Sequence, residues 1–200
     1  MEAEYDAPVL GLIHKTTFRG EIAMKKAMAL CSFVIFAAMM MAGTVSAQDK
    51  ASRPSPPASA DCTLPGGGTI HVDYSVPSMK GRVIFGKLVP YGEVWRAGAN
   101  EATTFVISKD VTVGGKTVPA GSYTLFTIPE KDKWTLIISK KTGEWGTPYP
   151  GAASDFARVD MKVGTLPAPQ EKFSISFDQS GSGCAMKLAW ETTQASVDIK

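Results

Sequence analysis
The sequence predicts an all-β protein: a single β-sandwich or flattened barrel of about eight or nine mostly antiparallel strands, carrying two long ordered loops. Three observations carry this expectation. Apolar residues recur with a period of two along short runs, as a half-buried strand requires. Glycine and proline clusters separate those runs at close intervals. After residue 47 the chain shows no convincing amphipathic helix.

Taken in order, Ile70, Val72, Tyr74 and Val76 alternate with Thr69, His71, Asp73 and Ser75, which is the pattern of a strand with one face in a core. Thr103 to Ser108 is rich in Thr and Val and reads as the next strand. Val111-Thr112-Val113 and Lys116-Thr117-Val118 flank Gly114-Gly115. Two glycines between β-rich runs predict a hairpin, because both central residues of a type I′ turn need positive φ. Pro119-Ala120-Gly121 is a further turn. The run from Ser122 to Ile128 follows, ended by Pro129; its Tyr123 to Ile128 stretch is apolar on both faces, so it is expected at the centre of a sheet. Trp134 to Ser139, Phe173 to Phe177, Ala185 to Trp190 and Ser196 to Ile199 complete the set. Trp134 and Trp190 fall inside strands and are expected in the core.

The N-terminal part reads as an export signal. Met24 precedes Lys25 and Lys26, an apolar run follows from Ala27 to Ala42, and Val45-Ser46-Ala47 supplies the small-residue end. The run is shorter than the roughly 20 residues of a spanning helix. The alternative is an uncleaved anchor. Residues 1–23 are read as a non-structural upstream extension, 24–47 as the signal peptide, and 48–63 as a Pro/Ser/Ala-rich linker. Residues 64–200 form the expected β-sandwich domain. The protein is therefore expected in the periplasm or outside the cell, with no membrane association once the signal is cleaved. Removing the signal also removes Cys31 and leaves Cys62 and Cys184. An even pair in an exported chain is read as a disulfide, with two separate thiols as the alternative.

Composition excludes more than it assigns. The 200 residues carry 21 Lys+Arg against 19 Asp+Glu, a formal charge of +2, so no basic excess exists to hold nucleic acid. A hydrophobic content of 44% is enough for a packed core. His71 is the one histidine after the signal, which leaves no partner for a histidine metal site or a Ser-His-Asp triad. No P-loop, Cys-x-x-Cys or Gly-x-Ser-x-Gly is present. Neither a metal nor another cofactor is expected.

Two segments break the strand pattern, Lys80 to Ala102 and Lys141 to Ala157. Both are rich in Gly and Pro, aromatic residues and charge. Long ordered loops on a rigid sheet are where function usually sits. The first includes Val89-Pro90-Tyr91-Gly92-Glu93-Val94-Trp95-Arg96-Ala97-Gly98-Ala99-Asn100-Glu101 within a longer run from Gly81 to Thr103. With Val118-Pro119-Ala120-Gly121-Ser122-Tyr123-Thr124-Leu125-Phe126 and Lys141-Thr142-Gly143-Glu144-Trp145-Gly146, it closely resembles a family of exported bacterial proteins, the domain of unknown function 2911. The resemblance covers about Thr69 to Lys200. It implies an exported β-rich domain without an established activity. It carries over no catalytic residues and does not oblige the Cys62–Cys184 pair.

Candidate ligand-binding residues are Tyr91, Trp95, Arg96, Asn100 and Glu101 in the first loop, with Trp145, Tyr149 and Arg158 in and beside the second. Aromatic faces stack on rings, while Arg and Asn supply donors. The same residues have a purely structural reading, with Trp95 and Tyr91 plugging the end of the sandwich and Arg96 paired to Glu101 or Asp155. In that reading Asn100 supplies a left-handed turn position, and Asp155 pairs with Arg158. If both loops fall at one end they form a single aromatic-lined cleft. Three functions follow. The first is a noncatalytic binding module for a small molecule, glycan or protein. The second is a hydrolase or lyase using Glu101 and Asp155 as acid and base, the weak catalytic candidates, which needs them within about 10 Å of each other. The third is a structural or envelope-scaffolding role.

Overall fold
The computed structural model describes residues 52–146 and 148–200. The expected signal peptide and the extension before it lie outside the described residues. The described chain contains nine strands: β1 (Pro57–Thr63), β2 (Thr69–Ser75), β3 (Thr103–Ile107), β4 (Val111–Val113), β5 (Lys116–Val118), β6 (Gly121–Ile128), β7 (Lys133–Ser139), β8 (Asp155–Ser180) and β9 (Gly183–Ile199). One 3-10 turn, Ala152–Ser154, precedes β8. Neighbouring strands pair antiparallel, in the order β1-β2-β3-β6-β7-β8-β9-β4-β5. The sheet is not closed into a cylinder, and the architecture is the flattened sandwich that the strand pattern predicts.

Period-two alternation is realised directly in β2, where Ile70, Val72 and Tyr74 are buried and Thr69 and Asp73 are exposed. The hairpin of β4 and β5 turns on Gly114 and Gly115, at φ 53° and 86°, the conformation that a type I′ turn imposes. The two-faced run lies in β6, between β3 and β7. Its Leu125 faces the main core. Phe126 and its cross-strand partner Ile137 are buried outside that cluster, and the ring of Tyr149 from the second loop lies 5.3 Å from Phe126. The second loop thus covers apolar residues on the outer side of the sheet.

The boundary expected at residue 63 shifts. Pro57–Thr63, read as linker, forms β1 and pairs with β2 from Pro57↔Ser75 to Thr63↔Thr69. Its inward positions are Ala58, Ala60 and Cys62, too small and too spaced to register as an apolar run, yet they sit against the core. Pro57 stands at the first position of an edge strand, where a missing N–H is tolerated.

The long β8–β9 hairpin shapes the molecule. Its register shifts between Thr165 and Gln170 and again between Gln170 and Ser174. Opposite the irregularity Glu191 adopts φ 54°. Gln170 Nε2 donates to the Lys172 and Ala189 carbonyls at 2.7 and 3.1 Å, so the irregular stretch is cross-linked rather than loose. The bend folds β9 back so far that Gly183 at its start meets the Ile199 carbonyl at its end. A Cβ on Gly183 would overlap that carbonyl and stand 3.0 Å from the Lys200 Cα. Glycine is required there by backbone approach.

The far half of this hairpin reaches the β1–β2 side. Cys62 of β1 and Cys184 of β9 form a disulfide spanning 122 residues. Gln179 Nε2 donates to the Thr63 carbonyl at 3.1 Å. Just beyond β2, Ser78 and Lys172 form an antiparallel bridge. The core enclosed this way is aromatic at one end: Phe85, Trp95, Trp134, Phe173 and Trp190 meet with ring centroids 4.9–6.4 Å apart. Such contacts add about 0.5–1.5 kcal/mol per pair beyond area burial.

Candidate functional site
The first loop is built into the core rather than laid over it. Ile84, Phe85 and Val89 are buried around a tight turn closed by hydrogen bonds from Gly86 N to Val89 O and from Val89 N to Ile84 O. Trp95 is bound on both sides to Thr127 at the end of β6, donating at 2.7 Å and accepting at 2.8 Å through the backbone. Its indole is stacked on Trp190 at 5.9 Å with planes 19° apart. Next to it, Ala97 is fully buried at φ 51°, and the Thr103 hydroxyl donates to its carbonyl at 2.9 Å. A left-handed alanine costs about 1–2 kcal/mol, which this burial and hydrogen bond hold in place.

Between this loop and the start of the described chain lies a cavity of about 370 Å³. Trp95, Trp190, Val89 and Leu88 supply apolar wall, and Arg82, Arg96 and Glu93 supply charge. Arg96 is half-buried, and burial pushes its guanidinium below the ordinary arginine range. Arg82 is exposed and fixed by its own turn: Nε donates to the Met79 carbonyl at 2.8 Å and Nη2 to the Ser78 carbonyl at 2.7 Å.

The two loops meet. Ala102 N donates to the Glu144 carbonyl at 3.0 Å. Gly146 lies so close to the first loop that a Cβ there would overlap the Arg96 side chain and stand 2.6 Å from the Asn100 carbonyl. The segment before β1 crosses the junction. Arg53 pairs with Glu101 at 2.7 Å, its guanidinium carbon lies 5.9 Å from the Trp145 ring centroid, and the Ser55 carbonyl accepts from Asn100 Nδ2 at 2.9 Å.

The nine candidates therefore separate into groups. Trp95 and Arg96 line the cavity. Asn100 holds φ 56° and anchors Ser55, while Glu101 is tied to Arg53. Tyr91 is 40% exposed, and its ring lies where a Cβ on Gly86 would fall, 2.8 Å away. Trp145 is 60% exposed under Arg53. Tyr149, Asp155 and Arg158 close on one another: the Tyr149 hydroxyl donates to Asp155 Oδ1 at 2.6 Å, and Arg158 donates to Asp155 Oδ2 at 2.7 Å and to the Tyr149 oxygen at 3.0 Å. Burial first, then the Asp155 bond, raises the Tyr149 hydroxyl above its usual value, and the same carboxylate raises Arg158. Arg82, Glu93, Leu88 and Trp190 join the cavity without having been singled out as site residues. Arg82 and Glu93 sit inside the same distinctive run as Trp95, which was the available signal. Among the described residues no group of three or more His, Cys, Asp or Glu is placed to hold a metal ion.

Residues 55–199 match the family described as "Protein of unknown function (DUF2911)". The chain belongs to this family. The DUF2911 match begins two residues before β1 and ends with the last residue of β9, so it takes in the whole sheet, both loops and the cavity between them. No curated protein and no solved structure matches the chain.

Proposed function
We propose that this DUF2911 protein is an exported, noncatalytic binding module whose site for a small molecule is the cavity walled by Trp95, Arg96 and Trp190. The single observation that carries the reading is that cavity, of a size that small-molecule sites occupy and framed by the loop with the most distinctive sequence. The two carboxylates weighed as an acid–base pair do not line it. Each is engaged elsewhere, Glu101 by Arg53 and Asp155 by Tyr149 and Arg158. Export is supported by the signal-like segment before residue 48 and by the Cys62–Cys184 disulfide, a bond that persists in oxidising compartments.

The test is a thermal-shift screen of the full chain against neutral, anionic and cationic small molecules and short oligosaccharides. A hit is followed by tryptophan fluorescence, since Trp95 and Trp190 line the cavity. Saturable binding that changes the fluorescence, and is weakened by Trp95→Leu in a protein that still unfolds cooperatively, supports the reading. A screen without hits, together with stable capture of an envelope protein, favours the scaffolding role instead.

A further inference from the structure
Resting on the cavity reading above, we propose how access to that cavity is controlled: residues 52–55 form a strap, latched by Arg53, that swings aside to admit a ligand. The lining decides which wall moves. Val89 and Trp190 are 3% and 1% exposed and belong to the core. Trp95 is half-buried, held at its backbone by Thr127 and at its ring by Trp190. Leu88 and Glu93 are exposed, but they ride on the loop that Ile84, Phe85 and Val89 fix to the core. Ser55 lines the cavity from a segment that buries nothing, since residues 52–56 are all exposed or half-buried. A ligand resting against rings set this deeply needs a wall to yield. The strap is the wall that yields without opening the core.

The latch is built from surface contacts. Arg53 Nη1 meets Glu101 Oε1 at 2.7 Å, with 30% and 40% of the two side chains still exposed. Its guanidinium carbon lies 5.9 Å from the centroid of the Trp145 ring, and Trp145 is 60% exposed. Asn100 Nδ2 donates to the Ser55 carbonyl at 2.9 Å. Asn100 and Glu101 belong to the first loop and Trp145 to the second, so one arginine spans the seam between the loops. A half-exposed ion pair and a cation over an open ring are each weak, and salt weakens the ion pair further. The other end of the strap is fast. The Pro56 carbonyl accepts from Val76 N at 2.9 Å where β1 begins, and Pro54, Pro56 and Pro57 fix φ along the segment. A stiff segment rooted at one end and lightly latched at the other pivots as a unit about Pro56.

The full chain is labelled with 5-fluorotryptophan, so that each of its four tryptophans gives its own fluorine NMR line. The nitroxide TEMPOL is added, and the broadening of each line reads how closely solvent approaches that ring. Arg53→Gln with Asn100→Gly removes the latch and the Ser55 bond, the glycine keeping the turn at φ 56°. The Trp95 line is expected to broaden about twofold or more over the wild type. Trp134, 1% exposed in the core, is expected to stay sharp and shows that the fold is intact. In the wild type, NaCl at about 1 M is expected to raise the Trp95 broadening part of the way, and in the double variant to add nothing. Broadening of Trp145 alone, with Trp95 unmoved, overturns the strap: Arg53 then only covers the Trp145 ring. If the double variant also broadens Trp134, the wild-type salt arm decides, with a rise at Trp95 supporting the strap and an unmoved Trp95 overturning it. The two readings separate cleanly. Trp95 broadening as expected, with no ligand from the screen above, supports the moving strap and counts against the binding site. A ligand that perturbs Trp95, with the Trp95 broadening unmoved in the double variant, supports the site and overturns the strap.

Discussion

The two loops solve the same problem in opposite ways. Both are long, aromatic and rich in glycine, yet the first is anchored from inside and the second from outside. The first contributes Ile84, Phe85 and Val89 to the core and places Trp95 in the aromatic cluster. The second keeps Trp145 exposed, lays Tyr149 over Phe126 on the outer side of the sheet, and is fastened by the Tyr149–Asp155–Arg158 set and by a Lys141–Glu144 pair at 2.7 Å. A loop that shares the core inherits its rigidity and makes a good cavity wall. A loop held from the outer side by ion pairs whose cations stay exposed makes a good rim.

The largest effect expected from this contrast is in stability. Phe85→Ala removes a ring that touches three tryptophans and is expected to cost about 3–5 kcal/mol in urea unfolding, whereas Trp145→Ala in the second loop is expected to cost under about 1 kcal/mol. Comparable losses at both positions would break the distinction. A smaller effect tests the seam. Gly146→Ala forces a methyl against the Asn100 carbonyl and the Arg96 side chain, and is expected to cost about 1–3 kcal/mol and to weaken ligand binding through Arg96. A neutral result in both assays would show that the second loop yields freely and does not brace the first.

How far the sequence reached follows the same division. Alternation revealed β2, and paired glycines revealed the β4–β5 turn, because a half-buried strand and a primed turn leave local signatures. β1 was hidden because its inward residues are Ala58, Ala60 and Cys62 and its pairing is made by backbone. The stretch of β8 through Gly164, Pro167 and Pro169 was hidden because a bending strand breaks its own period. Parity of cysteines in a chain read as exported was enough to expect the Cys62–Cys184 bond. In the site, Trp95 and Arg96 were legible as an aromatic and a cation in a distinctive run. The contact of Gly146 with Asn100 joins segments far apart in sequence, and Trp190 looked like any strand-borne core tryptophan, so neither carried a local sign of its place at the cavity. The structural reading weighed for the candidates also has observations on its side: Asn100 takes a left-handed position and Asp155 pairs with Arg158.

The smallest effect is a control outside both loops. His71 lies on the β1–β2 pair, 2.6 Å from Asp61 and 3.1 Å from Asp73. The Asp61 hydrogen bond, aided by Asp73 and opposed by desolvation, raises its pKa above 6.5. The folded state therefore holds the proton more tightly than the unfolded chain. That contribution is complete below pH 6.5 and is lost as pH rises through the folded value. Urea midpoints of the wild type are expected to decline slightly across that interval relative to His71→Gln, and identical profiles would remove the effect. An effect confined to the β1–β2 pair should leave ligand affinity untouched.

The most direct test is an amide and indole NMR titration of the full chain with the tightest-binding compound of the thermal-shift screen. The account predicts shifts concentrated between Leu88 and Gly98 and at the Trp95 and Trp190 indoles, with weaker changes at Glu144 to Gly146. Saturable binding that leaves both indoles still and moves Tyr149, Asp155 and Arg158, or the outer face of β2, would contradict it.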